Sequence, residues 1–339
     1  MSTVIDFPHR RAGHCGSGAL RDLLEHRGLN YGSGPLPEGV AFGLAGGLGF
    51  LYLEIPEADP PIYLVGRTGD LERDIATNLG FGLEVVSTDD EQEGWSLVRN
   101  EVDAGRPPMV WADIMHLDYL RVRMHNTRHD IVVVGYDEDA GIAYIADNDR
   151  DEIQCCSLES LARARNSAAF PGPNRHTTFL YDWPDRLPDP RRAVAAGLRR
   201  AIANMTDDDG RPLAGLSGAP GLAGVDRFVS AYAGWPGRLG ERLPDALRAL
   251  RVFIVKAGTG GAMFRSLHAE FLRYFADLLN DPGLAATART YEELAAAWQR
   301  LADAVSDEDH AAGVAVVLEI RDLEHAGVDL AEGWLGAQP

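Results

Sequence analysis

Residues 184–190, with the sequence Pro-Asp-Arg-Leu-Pro-Asp-Pro, divide the chain into two segments with different patterns. Proline lacks a backbone N–H and restricts φ, so three prolines in seven residues interrupt helices and strands alike. Predicted strands and helices alternate before this segment, whereas apolar residues recur with a helical period after it. A chain of 339 residues suits two domains of about 100–200 residues each. The sequence therefore predicts an α+β domain at 1–183, a linker at 184–190 and an all-helical domain at 191–339.

Cys15 lies where the first helix is predicted to begin. Leu20, Leu23 and Leu24 recur at the spacing of one buried helix face, and Ser17 is a suitable N-cap. The positive end of a helix dipole favours a thiolate, and the pKa of such a cysteine falls below about 8.5. The alternative is a buried cysteine that only packs, since cysteine is among the most buried residue types.

The segment 130–147 has the pattern of a β-hairpin with its turn near Glu138. This turn sets His129 opposite Asp147 on the returning strand. Directly opposed residues of an antiparallel pair share a face, with Cβ atoms about 4.5–5.5 Å apart. The hairpin therefore predicts a histidine–carboxylate pair, and Asp149 replaces Asp147 if the register slips by two residues.

Two other segments are rich in glycine. Residues 38–48 contain neither a phosphate-loop nor a dinucleotide-binding motif, and we predict a tight loop that enters a strand at 49–55. The second segment opens a predicted helix and consists of Gly258, Thr259, Gly260 and Gly261. A glycine-rich helix N-terminus can bind a carboxylate or phosphate through its backbone amides. The alternative for this second segment is a plain turn between two helices.

The composition limits the function classes. A net charge of −19 and a pI of about 4.9 argue against nonspecific nucleic-acid binding, which needs a basic surface. The three cysteines predict no disulfide framework, and we expect Cys155 and Cys156 to be packing residues. Residues 1–11 lack the apolar core of a signal peptide, and no apolar run is long enough for a bilayer. We therefore expect a cytoplasmic protein with no membrane partner.

Cys15, His129 and Asp147 together have the residue types of a nucleophile, a general base and an orienting carboxylate. In such a set the thiolate attacks a carbonyl, the imidazole moves the proton and the carboxylate holds the imidazole tautomer. The chain order Cys, His, Asp, with the nucleophile on an early helix and the base on a later strand, is the papain-like arrangement. The alternative is a packing cysteine beside a structural hairpin.

Metal binding is the competing chemistry. His125 and His129 are four residues apart, and His9, His14 and Cys15 are further possible zinc ligands. However, the segment 125–129 leads into a strand, and the sequence contains no His-Glu-x-x-His motif. We therefore expect no metal site.

Several motifs resemble the butirosin-biosynthesis protein H family, and they cover most of the chain: His14–Leu20, Phe42-Gly43-Leu44, His129–Asp137 and Asp147, followed by 258–261 with Phe264-Arg265 and Phe271-Leu272. This resemblance implies a papain-type or double-glycine-peptidase-like N-terminal domain followed by a helical domain. It also implies transfer of an aminoacyl group from a carrier-protein thioester to an amine in antibiotic biosynthesis. We expect no cofactor of the protein's own, although the donor can carry phosphopantetheine. A cysteine peptidase or amide hydrolase, and an inactive scaffold of a biosynthetic assembly, remain as alternatives.

Papain-type enzymes usually have a glutamine six residues before the nucleophile, which helps to bind the oxyanion. His9 occupies that position here, and its N–H could replace the glutamine amide, with the backbone at Cys15 and Gly16 supplying the other donor. The alternative for His9 is a surface histidine.

An acidic protein needs a local basic patch to approach an acidic carrier protein. Five arginines precede the predicted catalytic residues along the chain and could lie at the cleft entrance: Arg10, Arg11, Arg121, Arg123 and Arg128. Guanidinium groups there could bind carrier carboxylates or a pantetheine phosphate. Ordinary solvated charges are the alternative.

Overall fold

The computed structural model describes residues 2–207, 217–256, 259–306 and 309–338. Contacts within the chain divide it into two compact units. The first unit comprises Met1–Glu38 and Gly80–Leu187, and the second comprises Gly39–Leu79 and Pro188–Pro339. The predicted division near residue 184 thus has a structural counterpart between Leu187 and Pro188. The segment Gly39–Leu79, which we assigned to the first domain, instead groups with the helical part of the chain.

Strands and helices alternate up to residue 182, in the order β1 (Ser2–Val4), α1 (Cys15–His26), α2 (Glu38–Leu44), β2 (Leu48–Glu54), β3 (Ile62–Arg67), α3 (Leu71–Leu79), β4 (Gly82–Val86), α4 (Glu91–Asp103), β5 (Met109–Ala112), β6 (His129–Asp137), β7 (Ile142–Ala146), β8 (Gln154–Ser157), α5 (Leu158–Arg165) and β9 (Thr178–Asp182). The remainder is mostly helical, with α6 (Pro190–Thr206), β10 (Ser217–Pro220), α7 (Gly221–Ala233), α8 (Trp235–Leu239), a 3₁₀ turn (Gly240–Arg242), α9 (Leu243–Val255), α10 (Arg265–Leu279), α11 (Pro282–Ser306) and α12 (His310–Gly336).

The first unit is built on an antiparallel sheet with strand order β4-β9-β5-β6-β7-β8, and β1 pairs with β6. β6 is buried along almost its whole length, because helices α1 and α4 pack against it. Its β-branched residues join a core that includes Val110, Ile131, Val133 and Ile145. The sheet therefore holds the start of β6, where His129 lies, in a fixed place.

Helix α1 begins at Cys15, three residues before the start that Ser17 as N-cap predicts. The N-cap is His14, whose backbone is extended and whose Nδ1 accepts the N–H of Ser17 at 3.3 Å. The leucines that predicted the helix, Leu20, Leu23 and Leu24, are buried as expected. Cys15 is thus the first helical residue, at the positive end of the dipole.

The β6–β7 hairpin forms, but its register differs from the predicted one. Val132 pairs with Ala146, and Gly135 pairs with Tyr144, with a bulge between Val133 and Gly135. Asp137 pairs with Ile142, so the turn is centred between Asp139 and Ala140 instead of at Glu138, and the bulge returns the pairing by one residue towards the predicted register. Asp147 therefore follows the last paired residue of β7 and is not the strand partner of His129, which pairs with Ala112 of β5.

The second unit is not all-helical, because β10, β2 and β3 form a three-stranded antiparallel sheet against its helices. The predicted glycine loop before β2 is largely helix α2. Its glycines serve close packing: a Cβ at Gly43 would lie 1.9 Å from Cγ of Phe271 on α10. Glycine at this position thus permits two helices to approach each other closely. In the sequence alone, the same residue type indicates a loop.

A buried ion pair lies in the core of the second unit. Arg265, the first residue of α10, donates from Nε to Oε1 of Glu324 on α12 at 2.8 Å, and both side chains are fully buried. Nε1 of Trp298 donates to the same Oε1 at 3.1 Å.

Among the described residues, no helix is both long enough and apolar enough to cross a membrane.

Candidate active site

Cys15 and His129 meet at the junction of α1 and β6. Cys15 is partly exposed, and its thiol and the imidazole of His129 are close enough for each to shift the pKa of the other. Its Sγ also lies 3.8 Å from Oδ2 of Asp130. A partly exposed thiol in contact with a histidine is the arrangement in which a base can activate a nucleophile.

His129 and Asp147 form the contact that the hairpin predicted, although by a different route. Nε2 of His129 lies 3.1 Å from each carboxylate oxygen of Asp147. Both side chains are buried. Because Nε2 faces the carboxylate, the other ring nitrogen, Nδ1, is the one available to the thiol.

The environment favours an ion pair between Cys15 and His129. Burial by itself would raise the pKa of the Cys15 thiol, but the charge of His14 and the hydrogen bonds with His129 and His14 lower that pKa well below its ordinary value. Burial likewise opposes protonation of His129, yet Asp147 and Cys15 raise the pKa of His129 well above its ordinary value. These opposite shifts favour thiolate and imidazolium near neutral pH.

Three groups hold the Asp147 carboxylate. Besides His129, the hydroxyl of Tyr119 donates to Oδ2 at 2.7 Å, and the backbone N–H of Asp149 donates to Oδ1 at 3.2 Å. These hydrogen bonds and the charge of His129 outweigh burial and lower the pKa of Asp147. The sequence analysis missed Tyr119, because it lies in the connection between β5 and β6, where no periodic pattern marks it.

Glu38 fixes the segment that carries Cys15. Its carboxylate accepts hydrogen bonds from the backbone N–H groups of Gly13 and His14, at 2.7 and 2.9 Å, and from the hydroxyl of Ser17 at 2.8 Å. One acidic side chain thus ties both sides of Cys15 to the start of α2. Sequence reasoning placed Glu38 at the edge of a glycine loop and assigned it no role.

The first turn of α1 offers candidate oxyanion donors. The first four N–H groups of a helix have no partner within it. Of these, the N–H of His14 donates to Glu38 and the N–H of Ser17 donates to Nδ1 of His14, so the amides of Cys15 and Gly16 are the candidates.

His9 contacts acceptor groups of the protein, and its role as an oxyanion donor stays a prediction. Its Nδ1 lies 2.7 Å from Oδ2 of Asp22, and its Nε2 lies 3.1 Å from the carbonyl oxygen of Arg150. Both ring nitrogens are therefore engaged by acceptors, and His9 must give up one bond to reach a substrate. The side chain of His9 is 4% exposed, so the alternative of a surface histidine is wrong.

Residues 259–261 form a turn before α10 in the second unit, whereas Gly258 lies outside the described residues. Helix α10 begins only at Arg265, so these residues are not its first turn. The hydroxyl of Thr259 donates to the carbonyl of Ile254 and accepts the N–H of Gly261. These internal bonds are those of an interhelical turn, and an anion-binding role for Gly258, Thr259, Gly260 and Gly261 stays a prediction.

The five arginines have varied surroundings. Arg10 bonds to Glu25 and to the carbonyl of Leu36, and Nη2 of Arg11 lies 3.9 Å from Oδ1 of Asp149. The guanidinium of Arg128 lies 5.0 Å from the centre of the Trp111 ring. The other two, Arg121 and Arg123, are exposed. Arg11 is thus near Asp149, two residues after Asp147. The docking role of the five arginines stays a prediction.

The other two cysteines are free thiols with different surroundings. Cys156 is buried, and burial raises its pKa to about 12. Cys155 is exposed, contrary to the expectation that both cysteines pack in a core. In the described part of the chain, Cys15 is the cysteine that contacts a histidine and has a lowered pKa.

The fold and the site together define a protein with an antiparallel α+β unit, a mostly helical unit and a Cys–His–Asp set at the start of a helix. The family model of butirosin biosynthesis protein H, N-terminal, matches residues 14–148, and a domain of unknown function (DUF4872) matches residues 159–330. The chain belongs to the butirosin biosynthesis protein H family. No curated protein matches the sequence. The first match contains Cys15, Glu38, Tyr119, His129 and Asp147, whereas His9 precedes it.

Proposed function

We propose that this protein is a cysteine-dependent acyltransferase of antibiotic or related natural-product biosynthesis. The observation that carries the proposal is the contact of Cys15, His129 and Asp147, with a lowered pKa at the thiol and a raised pKa at the imidazole. The name of the family, which refers to butirosin biosynthesis, supports the biosynthetic setting. The donor of the proposed reaction is an acyl or aminoacyl thioester, and the acceptor is an amine.

In the first half-reaction, the Cys15 thiolate attacks the carbonyl carbon of the donor thioester. The tetrahedral oxyanion accepts hydrogen bonds from the backbone amides of Cys15 and Gly16. When it collapses, the bond to the donor sulfur breaks, and the imidazolium of His129 gives its proton to the departing thiolate. The products are an acyl-enzyme on Cys15 and the free donor thiol.

In the second half-reaction, the acceptor amine attacks the acyl-enzyme while His129 takes a proton from the nitrogen. Asp147 stabilises the imidazolium that forms. Collapse releases an amide and restores the thiolate–imidazolium pair. Water in place of the amine would give a carboxylic acid through the same residues, which is why hydrolysis is the second candidate.

Intact-protein mass spectrometry tests the proposal. After exposure to a small acyl thioester, such as an acyl-N-acetylcysteamine, wild type is expected to gain one acyl group. Cys15→Ala should lose this adduct, and Cys15→Ser should be nearly as poor, because an alcohol is far less ionised than a thiol. Cys155→Ala is the matched control and should retain the adduct. An adduct that persists in Cys15→Ala would show that the nucleophile lies elsewhere.

Product partition separates the candidate functions. With a simple primary amine present at rising concentration, a transferase diverts the acyl group from acid to amide, whereas a hydrolase yields acid throughout. A protein that forms no adduct with any thioester, although Cys15 alkylates rapidly, would favour the inactive scaffold.

A further inference from the structure

Three side chains in the connection between β5 and β6 place their ligand atoms together. Asp113, His116 and His125 each offer one atom, and these atoms all lie within 4.8 Å of one another. Nδ1 of His125 is 2.6 Å from Oδ2 of Asp113, and the two imidazole rings are 5.7 Å apart between centres. We propose that this cluster binds a divalent transition-metal ion, with Zn²⁺ as the best match to its ligands.

The carboxylate of Asp113 is held in the way that a metal ligand requires. Its side chain is fully buried, and Oδ1 accepts the backbone N–H groups of Met115 and Asn126, each at 3.1 Å. The hydroxyl of Ser167 donates to Oδ2 at 2.6 Å. Outer hydrogen bonds of this kind orient the ligating carboxylates of metal sites. The backbone amides thus fix Oδ1, and Oδ2 faces the imidazoles.

The residue types match zinc. Two imidazole nitrogens and a carboxylate oxygen are common zinc ligands, and three protein ligands leave a fourth position for water or a substrate. Metal–ligand distances of about 2.0–2.2 Å place neighbouring ligand atoms roughly 3.3 Å apart in a tetrahedral site. The ion would take the place of the proton between Nδ1 of His125 and Oδ2 of Asp113. Because these two atoms are now 2.6 Å apart, they would separate slightly on metal binding. His125 is 44% exposed, so one side of the cluster faces solvent.

This inference departs from the sequence-based expectation of no metal site. That expectation rested on the segment 125–129, which leads into a strand, and on the lack of a His-Glu-x-x-His motif. The two histidines of that segment, His125 and His129, contact different carboxylates. Nε2 of His129 contacts Asp147, whereas His125 contacts Asp113. The metal ligands come instead from both ends of the connection, so an ion would join its beginning at Asp113 to the residues that lead into β6.

Metal analysis tests the proposal in the Cys15→Ala background, which removes the thiolate as a competing ligand. The protein is stripped with a chelator, dialysed against Zn²⁺ at about 10 μM and assayed for bound zinc by mass spectrometry. Zinc bound above the buffer should amount to one ion per chain, and the ion should raise the melting temperature. His116→Gln and His125→Gln should each abolish both effects. Ser167→Ala should weaken zinc binding about 10–100-fold, since it removes support from Oδ2.

His325→Gln is the matched control. Nε2 of His325 lies 3.1 Å from Oδ1 of Asp226, a histidine–carboxylate pair that belongs to no three-ligand group among the described residues. This variant should bind zinc as the parent does. Three outcomes would each overturn the proposal. His116→Gln and His125→Gln could retain zinc, His325→Gln could lose as much zinc as they do, or the parent could bind no zinc up to about 100 μM. None of these readouts depends on acyl transfer.

Discussion

The hydroxyl of Tyr119 donates a 2.7 Å hydrogen bond to Oδ2 of Asp147, the carboxylate that also contacts Nε2 of His129. Tyr119 therefore acts on the site through the carboxylate. Its own pKa is raised well above the ordinary value by burial and by Asp147, so it stays a neutral donor throughout the working pH range.

Removing this hydroxyl should impair turnover without changing substrate binding. We expect Tyr119→Phe to lower kcat of acyl transfer by about tenfold and to leave KM unchanged, because Asp147 would be less well oriented. Asp147→Asn should cost more, on the order of 10³–10⁴-fold, since it favours the wrong imidazole tautomer. Tyr144→Phe on β7 is the matched control. A rise in KM with unchanged kcat in Tyr119→Phe would contradict a positioning role.

The pH dependence of alkylation should report the Cys15–His129 pair. Because the pKa of Cys15 is lowered, its thiolate should persist at neutral pH, and alkylation by iodoacetamide should slow only as the pH falls through that lowered pKa. In His129→Gln the pH at which the alkylation rate inflects should rise towards about 8.5, the ordinary pKa of a cysteine thiol.

This measurement is best made in a Cys155→Ser background, because Cys155 is the exposed thiol. Cys156 is buried with its pKa raised to about 12, and it should not compete near neutral pH. If the alkylation rates of wild type and of His129→Gln inflect at the same pH, His129 does not stabilise the thiolate.

Charge reversal tests the proposed docking of a carrier protein. Arg11 and Arg123 are exposed, whereas Arg10 bonds to Glu25 of α1 and is best left intact. Arg11→Glu with Arg123→Glu should raise the apparent KM for a carrier-bound donor several-fold and should leave a small neutral thioester unaffected. Equal loss on both donors would indicate damage to the site, and no loss on either would exclude docking through these two arginines.

The buried ion pair of the second unit should be important for stability. Glu324→Ala leaves the Arg265 guanidinium buried without its carboxylate, and we expect a loss of about 3–5 kcal/mol in the free energy of unfolding by urea. Glu319→Ala breaks the exposed pair with Arg300, whose side chains are each 49% exposed, and should cost less than about 1 kcal/mol. Similar losses in the two variants would contradict this role of burial.

The secondary structure was largely predictable because local patterns determine it. The leucines of α1 and the β-branched run of β6 have periods that reflect one buried face and one buried strand. Helix α2 was not predictable in this way. Its glycines permit close packing against α10, and the same residue type also signals a loop.

The candidate site was predictable to the extent that it follows from the hairpin. The predicted register differs from the observed one, because Asp137 pairs with Ile142 and the turn is therefore centred beyond Glu138, between Asp139 and Ala140. The contact of His129 with Asp147 forms nevertheless, through side chains long enough to meet beyond the end of β7. Tyr119 and Glu38 depend on tertiary contacts across 28 and 21 or more residues, which local patterns do not report.

The order of the two units along the chain has a consequence for anyone who wishes to isolate the unit that contains Cys15, His129 and Asp147. A gene truncated after residue 183 would still encode Gly39–Leu79, whose strands β2 and β3 would then lack β10 and the helices that cover them. Such a fragment should expose apolar surface and aggregate. A soluble fragment of the first unit instead requires two edits, a stop after Leu187 and a flexible linker in place of Gly39–Leu79.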